Sequence, residues 1–360
     1  MPSVFWGRML QIRVMVRSLA IAALWLLACS IQIAAAKSPQ ALWVANGNYI
    51  SEFQGSALES SGTPDAHLRF GVKHYLVPFS IALDHHNNLW ITDLSALQGG
   101  YVAIIEVRLA DMRSLKSGTR APSRIIHPTG VSGKLFAWYG LGFDAAGDLF
   151  VTNSGQQLLE IPPDQLERRS PSTAIAISLP EGFPQTLRFD SSDNLWVSVN
   201  SQLWRFAPAD RAASGAANPS LVVNLPADFG IQDFAFDGSE NLWIAGADFT
   251  IGAVDEIEEI SARDLNGTGE ITPPIAVTIT SSAFGTESGL SGGICLGGID
   301  FDQAGDLWAS ARCQFSHLIE FTPSQLSIGG NLTPSITISP NREKANLSFP
   351  GPIRFGPTIK

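Results

Sequence analysis

Three charged residues stand at the centre of apolar triplets, where a charge is costly unless it is paired. Arg188 is the middle residue of Leu-Arg-Phe, Asp300 of Ile-Asp-Phe and Arg354 of Ile-Arg-Phe. A buried charge needs an opposite charge or a charged ligand to offset its lost hydration. These residues are therefore candidates both for a structural ion pair and for reading the charge of a ligand.

Aromatic and amide side chains form a second set of candidate ligand contacts. Trp138 and Tyr139 are adjacent aromatic residues, and either stacking on a ligand or packing in the interior would account for them. Gln232 joins this set because it stands at the start of a predicted strand, next to a loop.

Cys295 and Cys313 are the two cysteines that follow the first 36 residues. Folding the segment between them back on itself at residues 303–305 places Cys313 nearly opposite Cys295. An exported protein can oxidise such a pair, so we predict a disulfide. Two free thiols or a metal site are the alternative.

Motifs for metal binding or nucleophilic catalysis are weak in this sequence. His85 and His86 lie in a predicted turn, and residues 264–270 match only part of a calcium loop whose twelfth position would be Ile275. The sequence has no recognisable Ser-His-Asp set, Gly-Lys phosphate loop or zinc-ligand spacing. We predict no metal site, and the catalytic residues, if any, stay unknown.

An internal repeat defines the elements that must position these residues. Each of five segments has an apolar-x-apolar-Asp sequence, a turn, and then a Leu-aromatic-apolar run that begins five residues after the aspartate. These segments are 81–91, 141–151, 187–197, 234–244 and 299–309. Their spacing is typical of propeller blades. Two further short strands follow in each unit without a helical stretch, which predicts four-stranded antiparallel blades.

The two ends of the chain supply a sixth blade. Residues 42–53 match the second and third strands of a unit, and residues 353–355 match a first strand. Pairing of the two fragments would close a ring and remove exposed sheet edges. We therefore predict an all-β fold, a six-bladed β-propeller over residues 37–360, with this split unit as blade one and the five repeats as blades two to six.

The register of the repeat assigns structural roles to its common residues. One aromatic position per unit should be core, and it holds Trp43, Trp90, Phe150, Trp196, Trp243 and Trp308. The aspartate before each turn should accept hydrogen bonds from turn N–H groups. Because blades six and one are neighbours, we predict an ion pair between Asp300 and Arg354.

The Phe-Asp-x-x-Gly-Asp-Leu-Trp pattern at 301–308, the Ile-Glu-Phe strand at 319–321 and the Pro-Ser-Gln-Leu turn at 323–326 resemble NHL-repeat proteins. The fold resembles the wider group of gluconolactonase- and regucalcin-like propellers. That resemblance implies a ligand face built from the loops that lead into each first strand and from those between second and third strands. It also implies that the loop at 278–298, rich in Gly and Ser, is a candidate lid.

The resemblance does not extend to lactonase chemistry. Regucalcin-like lactonases place a metal-binding Asn or Asp five residues before the turn aspartate. Here that position holds Phe79, Tyr139, Gln185, Gln232, Gly297 and Gly351. No carboxylate or Asn is among them, so no cofactor is predicted, and a divalent cation in the channel lacks support.

The net charge of the chain and its N-terminal segment limit the possible partners and cellular locations of the protein. The formal net charge is −10, which disfavours nucleic acid. Arg8, Arg13 and Arg17 precede an apolar run and Ala34-Ala-Ala, which predicts an export signal over residues 1–36. Alternatively, Leu-Leu-Ala-Cys ending at Cys29 is a lipoprotein signal, and a lipid on Cys29 would be the link to a membrane. Either reading predicts a periplasmic, cell-envelope or extracellular protein.

Two functions remain open from the sequence. The first is a non-catalytic binding module that takes a protein, peptide or glycan at the propeller mouth. The second is a lactonase- or lyase-like enzyme whose ligands lie on the loops between second and third strands. Its candidate ligands are Asp93, Asn153, Asp248 and His317. Convergence of three of these on the channel would favour the enzyme, and dispersal would favour binding.

Overall fold

The turn aspartate of each repeat fixes the hairpin that follows it. In the computed structural model, the Asp84 carboxylate accepts hydrogen bonds from the backbone N–H groups of His86 and Asn88, at 2.8 and 2.9 Å. The other four turns repeat this pair of bonds. The third residue after each aspartate has a φ between 61° and 87°, which Gly, Asn and Asp adopt most readily. The predicted role of the aspartates is confirmed.

The structure describes residues 40–72, 77–93, 103–114, 118–129, 137–179, 182, 184–249, 254–285, 294–313, 316–341, 347 and 349–358. All of them lie in the compact unit Pro39–Lys360. The predicted export segment, Cys29 and residues 286–293 of the candidate lid lie outside the described residues.

The strands form six small sheets, and each sheet is one blade of a six-bladed β-propeller, as predicted. Blade one begins with β1 (Gln40–Asn46), β2 (Tyr49–Gln54) and β3 (Leu68–Val72). The segment of blade two contains β4 (Pro78–Leu83), β5 (Leu89–Asp93), β6 (Ala103–Val107), β7 (Gly118–Arg120) and β8 (Arg124–Ile126). Blade three contains β9 (Trp138–Phe143), β10 (Leu149–Asn153), β11 (Gln157–Ile161) and β12 (Ile175–Ser178).

The remaining strands continue the same order. The segment of blade four contains β13 (Pro184–Phe189), β14 (Leu195–Val199), β15 (Gln202–Phe206), β16 (Gly215–Ala216) and β17 (Leu221–Asn224). That of blade five contains β18 (Phe229–Phe236), β19 (Leu242–Asp248), β20 (Val254–Ile260), β21 (Gly269–Ile271) and β22 (Val277–Thr280). That of blade six contains β23 (Leu296–Phe301), β24 (Leu307–Ala311), β25 (His317–Phe321), β26 (Gly330–Asn331) and β27 (Ile336–Ile338). Finally, β28 (Pro350–Pro357) returns to blade one.

Helices in the described part of the chain are single turns. They are α1 (Leu109–Arg113), α2 (Pro163–Leu166), α3 (Pro323–Leu326) and the 3₁₀ turns Gly55–Leu58, Ala262–Leu265 and Ser282–Phe284. The Pro-Ser-Gln-Leu turn at 323–326 is thus helical, as is the equivalent segment 163–166, because a proline begins each one. In α3, a Thr322–Gln325 capping box also caps the N-terminus. No helix among the described residues is long and apolar enough to cross a membrane.

The ring closes where the sequence predicts it. Strand β28 pairs antiparallel with β1, and Leu42 faces Phe355 while Val44 faces Ile353. The first strand of blade one therefore comes from the C-terminal end of the chain, and its other three strands come from the N-terminal end.

A second set of contacts covers the outer edge of every blade. The outermost strand pairs in parallel with a short segment from the loop of the following blade, which removes the free edge. The six pairs are β3 with β7, Thr129 with Ser172, β12 with β16, β17 with β21, β22 with β26, and Ile338 with Gly62.

Aromatic rings join neighbouring blades in the interior. The six aromatic residues of the repeat are at most 3% exposed, so their core role is confirmed. In blades two to six, each of these rings meets the Phe at the end of the next first strand, with ring centroids between 5.5 and 6.2 Å apart. These tilted and edge-to-face contacts are the favoured aromatic geometry.

Blade three replaces one of the repeated hydrogen bonds. In blades two, four and five, the Trp indole N–H donates to the turn aspartate at 2.9–3.1 Å. Phe150 of blade three has no such donor. Instead, Arg211 from the blade-four segment donates to Asp144 Oδ2 at 2.9 Å, and its guanidinium lies 4.9 Å from the centre of the Phe150 ring. Arg211 thus provides the missing donor and covers the ring.

We predict that Arg211→Ala lowers the free energy of unfolding by about 3 kcal/mol, because it leaves a buried carboxylate without its partner. Phe150→Trp should recover about 1 kcal/mol or more of this loss, since an indole N–H can reach the same aspartate oxygen. In the wild-type background, Phe150→Trp should destabilise, because indole and guanidinium compete for that oxygen. Urea unfolding of the four proteins measures the coupling, and additive effects would contradict the replacement.

Candidate binding site at the propeller mouth

The first strand of a blade pairs irregularly with the second strand near its beginning. These irregular positions lie about five residues before the turn aspartate, where regucalcin-like lactonases have their metal-binding Asn or Asp. In blade five, Ile231 faces Gly246 and Asp233 faces Ala245, which leaves Gln232 as an extra residue. Blades two, three, four and six show a register shift at the corresponding place. Such bulges bend a strand and redirect its side chains. In blades four and five, the bulges place Gln185 and Gln232 on the wall of an open cavity at the propeller mouth, called the mouth cavity below.

Hydroxyl groups on the second strands hold several of these bulges. The backbone N–H groups of Ser80, Gly140 and Thr186 donate to the hydroxyls of Thr92, Thr152 and Ser198, at 2.9–3.0 Å. Blade five has Ala245 at the hydroxyl position and an aspartate, Asp233, in its first strand. Asp233 is 2% exposed, and its carboxylate belongs to the channel network described next.

Four charged side chains from four consecutive blades pair in the central channel. Arg188 Nη2 lies 3.0 Å from Asp233 Oδ2, and Arg188 Nη1 lies 3.1 Å from Asp300 Oδ1. Arg354 Nη1 lies 3.2 Å from Asp233 Oδ2. Arg188, Asp300 and Arg354 occupy the middle of the first-strand triplet, where blades two, three and five have Ala82, Gly142 and Ala235. Asp233 lies two residues before Ala235. Two positive and two negative charges therefore balance on one side of the channel.

The predicted partner of Arg354 was incorrect. Arg354 pairs with Asp233, whereas Asp300 pairs with Arg188 and accepts the Phe355 N–H at 2.7 Å. A direct Asp300–Arg354 pair is not among the ion pairs of the described residues. The arginine side chains are long enough to reach past the adjacent blade. The order of the blades around the ring therefore does not determine which aspartate pairs with Arg354.

Burial and charge oppose one another in this network. Burial alone would raise the pKa of Asp233, but Arg188 and Arg354 outweigh it, and the pKa lies below its ordinary value. For Arg188, burial is outweighed by Asp233 and Asp300, and the pKa is raised. Burial, together with the nearby Arg188, lowers the pKa of Arg354 against the effect of the two aspartates. Asp233 is thus the carboxylate on which both arginines depend.

An open cavity of about 640 Å³ lies beside the channel, between blades four, five and six. The planar polar side chains on its wall are Gln185, Asn200, Asp228, Gln232 and Arg312. Phe249, which is 39% exposed, and Ile294 add an apolar surface. The wall belongs to the two kinds of loop predicted to form the mouth, and Gln232 is the candidate residue from the sequence that lines it.

A disulfide fixes one wall of this cavity. Cys295 and Cys313 are bonded with a Cα–Cα distance of 5.0 Å, as predicted. Next to them, the Arg312 N–H donates to Cys295 O at 2.8 Å and Arg312 Nε donates to Ile294 O at 3.2 Å. Arg312 Nη2 donates to Gln232 Oε1 at 2.9 Å. The guanidinium and the Gln232 amide therefore occupy defined positions on the wall.

Other candidate residues have different places. Trp138 is 3% exposed and packs in the core between blades two and three, which favours packing over ligand stacking. Tyr139 is half-buried, its ring centroid lies 5.2 Å from that of Phe79, and burial raises the pKa of its hydroxyl. His86 is exposed in the turn after Asp84.

The alternative catalytic set is dispersed among the blades. Asp93 Oδ1 lies 3.4 Å from the backbone nitrogen of Val77, and Asn153 contacts Gln157 at 3.3 Å. His317 Nδ1 lies 3.2 Å from Ser339 Oγ, and burial lowers the pKa of this histidine. Over the ranges that the structure describes, no three His, Cys, Asp or Glu side chains are grouped to hold a metal ion.

Two residues that the sequence analysis did not identify, Asp233 and Arg312, shape the site. Asp233 had a detectable signal, because the other repeats hold Ser80, Gly140, Thr186 and Gly298 at its position, four residues before the turn aspartate. Arg312 had a weaker one, its place beside Cys313. Neither sequence pattern indicates which residue the side chain of Asp233 or Arg312 contacts.

We predict that Asp233→Asn lowers the free energy of unfolding by about 3–5 kcal/mol, because two buried arginines lose their shared charge. The wild-type contribution is fully present above the unfolded-state pKa of 3.8 and disappears as the pH falls through the lower folded-state value. The stability gap to Asp233→Asn should therefore narrow in acid. Exposed Asp228→Asn is the control, and urea titrations between neutral and acidic pH measure both variants. An equal gap at all pH values would refute the assignment.

Replacing both Cys295 and Cys313 by Ser should lower the free energy of unfolding by about 3 kcal/mol, as expected for a loop of this length. Reductant should destabilise the wild-type chain by a similar amount and leave the double variant unchanged. Denaturant unfolding with and without reductant makes the comparison. A reductant effect of equal size in both proteins would show that the bond is not the source.

Comparisons with known proteins support the fold alone. No protein-family model matches the chain, and no curated protein matches it. Among solved structures, a protein of unknown function from Bacteroides caccae is 12% identical, with a TM-score of 0.55 over 88% of this chain and 98% of that one. The extracellular domain of the putative hybrid two component system BT4673 from B. thetaiotaomicron is 16% identical, with a TM-score of 0.46 over 79% of this chain and 36% of that one. The C-terminal WD40 domain of Sif2 is 9% identical, with a TM-score of 0.44 over 84% and 72%. The similarity to the Bacteroides caccae protein concerns the fold alone, and the function must be argued from the residues of this chain.

Proposed function

We propose that this chain is an exported binding module that takes its ligand in the mouth cavity without transforming it. The observation that carries the proposal is the cavity itself, about 640 Å³ in volume and lined by planar polar groups beside an exposed phenylalanine. Ligand sites are typically concavities of about 300–1,000 Å³ with a few well-placed polar groups. The disulfide and the Asp233 network hold the strands that form the wall, so the site is preorganised.

The placement of the candidate catalytic residues weighs against the enzymatic alternative. Asp93, Asn153, Asp248 and His317 lie on four different blades, with their own neighbours. General acid–base or metal-assisted chemistry needs groups that converge on one reacting atom. Dispersal of these side chains supports binding over lactone hydrolysis or elimination.

Export is part of the same proposal. A disulfide between Cys295 and Cys313 is typical of proteins that mature outside the reducing cytoplasm. The arginine-flanked apolar run before residue 37 supports it, and a lipid on Cys29 would place the module at a membrane surface. We infer that the likeness to NHL-repeat proteins concerns the construction of the blades and implies no shared activity.

A cavity-blocking variant tests the site. Ala227 is exposed on the cavity wall, so Ala227→Trp should obstruct the cavity while leaving the core intact. With neutral saccharides, uronic saccharides, tripeptides and lactones as probes, saturation-transfer NMR should detect binding of at least one class. Ala227→Trp should weaken that binding more than tenfold.

Ala146→Trp is the matched control, because Ala146 is exposed in the turn after Asp144, away from the cavity. It should leave binding unchanged. Equal binding by the two variants, hydrolysis of a lactone probe, or no binding in any class would overturn the proposed function.

A further inference from the structure

The chemistry of the mouth cavity narrows the class of ligand. Five wall residues end in planar amide, carboxylate or guanidinium groups: Gln185, Asn200, Asp228, Gln232 and Arg312. Such groups carry hydrogen-bonding atoms side by side, and the atoms that are not paired within the protein can meet a ligand. Two adjacent hydroxyl groups of a sugar ring present the matching arrangement, since every hydroxyl both donates and accepts. The polar half of the cavity therefore suits a polyhydroxylated ligand.

The orientation of Gln232 supports this reading. Its Oε1 accepts a hydrogen bond from Arg312 Nη2 at 2.9 Å. That bond leaves the amide nitrogen as the group that can donate to a ligand, and among the described residues it has no hydrogen-bond partner. Arg312 is itself held through the disulfide-linked segment and lies 5.7 Å from the centre of the Phe349 ring. A donor in a fixed position costs little entropy on binding.

Phe249 supplies an apolar surface next to these groups. A Cβ atom at Gly230 would lie 2.7 Å from Phe249 Cε2, so the glycine allows the ring to rest directly on the backbone of β18. The ring is nevertheless 39% exposed at the cavity. The face of an aromatic ring is electron-rich and attracts the weakly positive C–H groups that line one side of a sugar.

Charge distinguishes neutral from acidic sugars. The cavity wall carries one carboxylate, Asp228, and one guanidinium, Arg312, which do not favour a net charge on the ligand. The chain as a whole carries a formal net charge of −10, whose field repels anions. A uronic acid would approach against this field, and at the site the repulsion from Asp228 would oppose the attraction of Arg312 for its carboxylate.

The sheet edges disfavour an extended peptide. Peptides often bind by adding a strand to an open edge. In the described blades, all six outer edges are paired with a segment of the following blade. The cavity is left as the place of recognition.

We propose that the mouth cavity binds a neutral carbohydrate, with the planar polar side chains contacting its hydroxyls and Phe249 stacking on its C–H face. This inference rests on the proposed function, because it assigns a ligand class to the same cavity. A free oligosaccharide and the exposed end of a polysaccharide share this chemistry.

A glycan array with equal numbers of neutral and uronic glycans tests the proposal, followed by calorimetry on soluble trisaccharides and matched polysaccharides at physiological salt. Neutral glycans should bind, and their uronic counterparts should bind at least tenfold more weakly. Tighter binding of the polysaccharide than of the trisaccharide would identify the polymer as the source.

Two substitutions connect the binding to the cavity. Phe249→Ala and Gln232→Ala should each weaken binding of the neutral glycan about tenfold or more, whereas Phe249→Trp should retain it. His86→Ala, in an exposed turn away from the cavity, is the matched control. Circular dichroism checks that each variant is folded. Unchanged affinity in folded Phe249→Ala and Gln232→Ala would overturn the proposal.

The outcomes separate this inference from the proposed function. If tripeptides or uronic glycans bind better than neutral glycans, and Ala227→Trp abolishes that binding, the carbohydrate assignment fails and the binding module stands. If no probe class binds, both fail.

Discussion

Six first strands converge on one axis, and the space between their backbones limits every side chain that they carry there. A Cβ atom at Gly140 would lie 2.8 Å from the backbone nitrogen of Leu187 in the next blade, and one at Gly298 would lie 2.8 Å from Pro352 Cα. Such approach is possible only for glycine. Polar groups at the axis must therefore find partners across blades. Arg188, Asp233, Asp300 and Arg354 do so, which joins the first strands of blades four, five, six and one into one electrostatic unit.

The mouth cavity depends on that unit. Asp233 anchors β18 within the axis, while Gln232, one residue earlier and in the bulge, faces the cavity. The same strand thus holds a buried charge and a cavity-facing amide on consecutive residues. On the opposite wall, the Cys295–Cys313 bond holds β23 and β24 together where Arg312 leaves the sheet. Structural constraints on both sides position the two residues that meet at 2.9 Å.

The sequence was informative wherever one residue type recurs in a fixed position. The turn aspartates, the buried aromatics and the β1–β28 pairing follow from a repeat with a fixed five-residue step, because each blade must solve the same packing problem. The disulfide followed from the hairpin register together with the predicted export of the chain. By contrast, the partner of Arg354 depends on how far a guanidinium reaches across the axis, and the burial of Trp138 depends on where a bulge turns the strand. Both depend on three-dimensional distances that a single blade does not encode.

The arginine at position 211 shows the same limit in a different way. Phe150 departs from the repeated Trp, and the compensating residue lies 61 positions later in another blade segment. A local pattern identifies the departure, whereas only the contact between blades reveals its replacement.

The ring of blades is closed by contacts near the axis and by contacts at the rim, and this affects how the ring can open. Near the axis, β28 joins β1, and at the rim Gly62 exchanges hydrogen bonds with the backbone of Thr337 and Ser339, at 3.0 and 2.7 Å. Fraying of β28 alone would leave the Gly62 hydrogen bonds at the rim in place. Loss of those hydrogen bonds would in turn leave the β28–β1 pairing intact. Opening the circle requires both to fail together. Closure at both places should slow proteolysis, since cleavage depends on how often the chain opens.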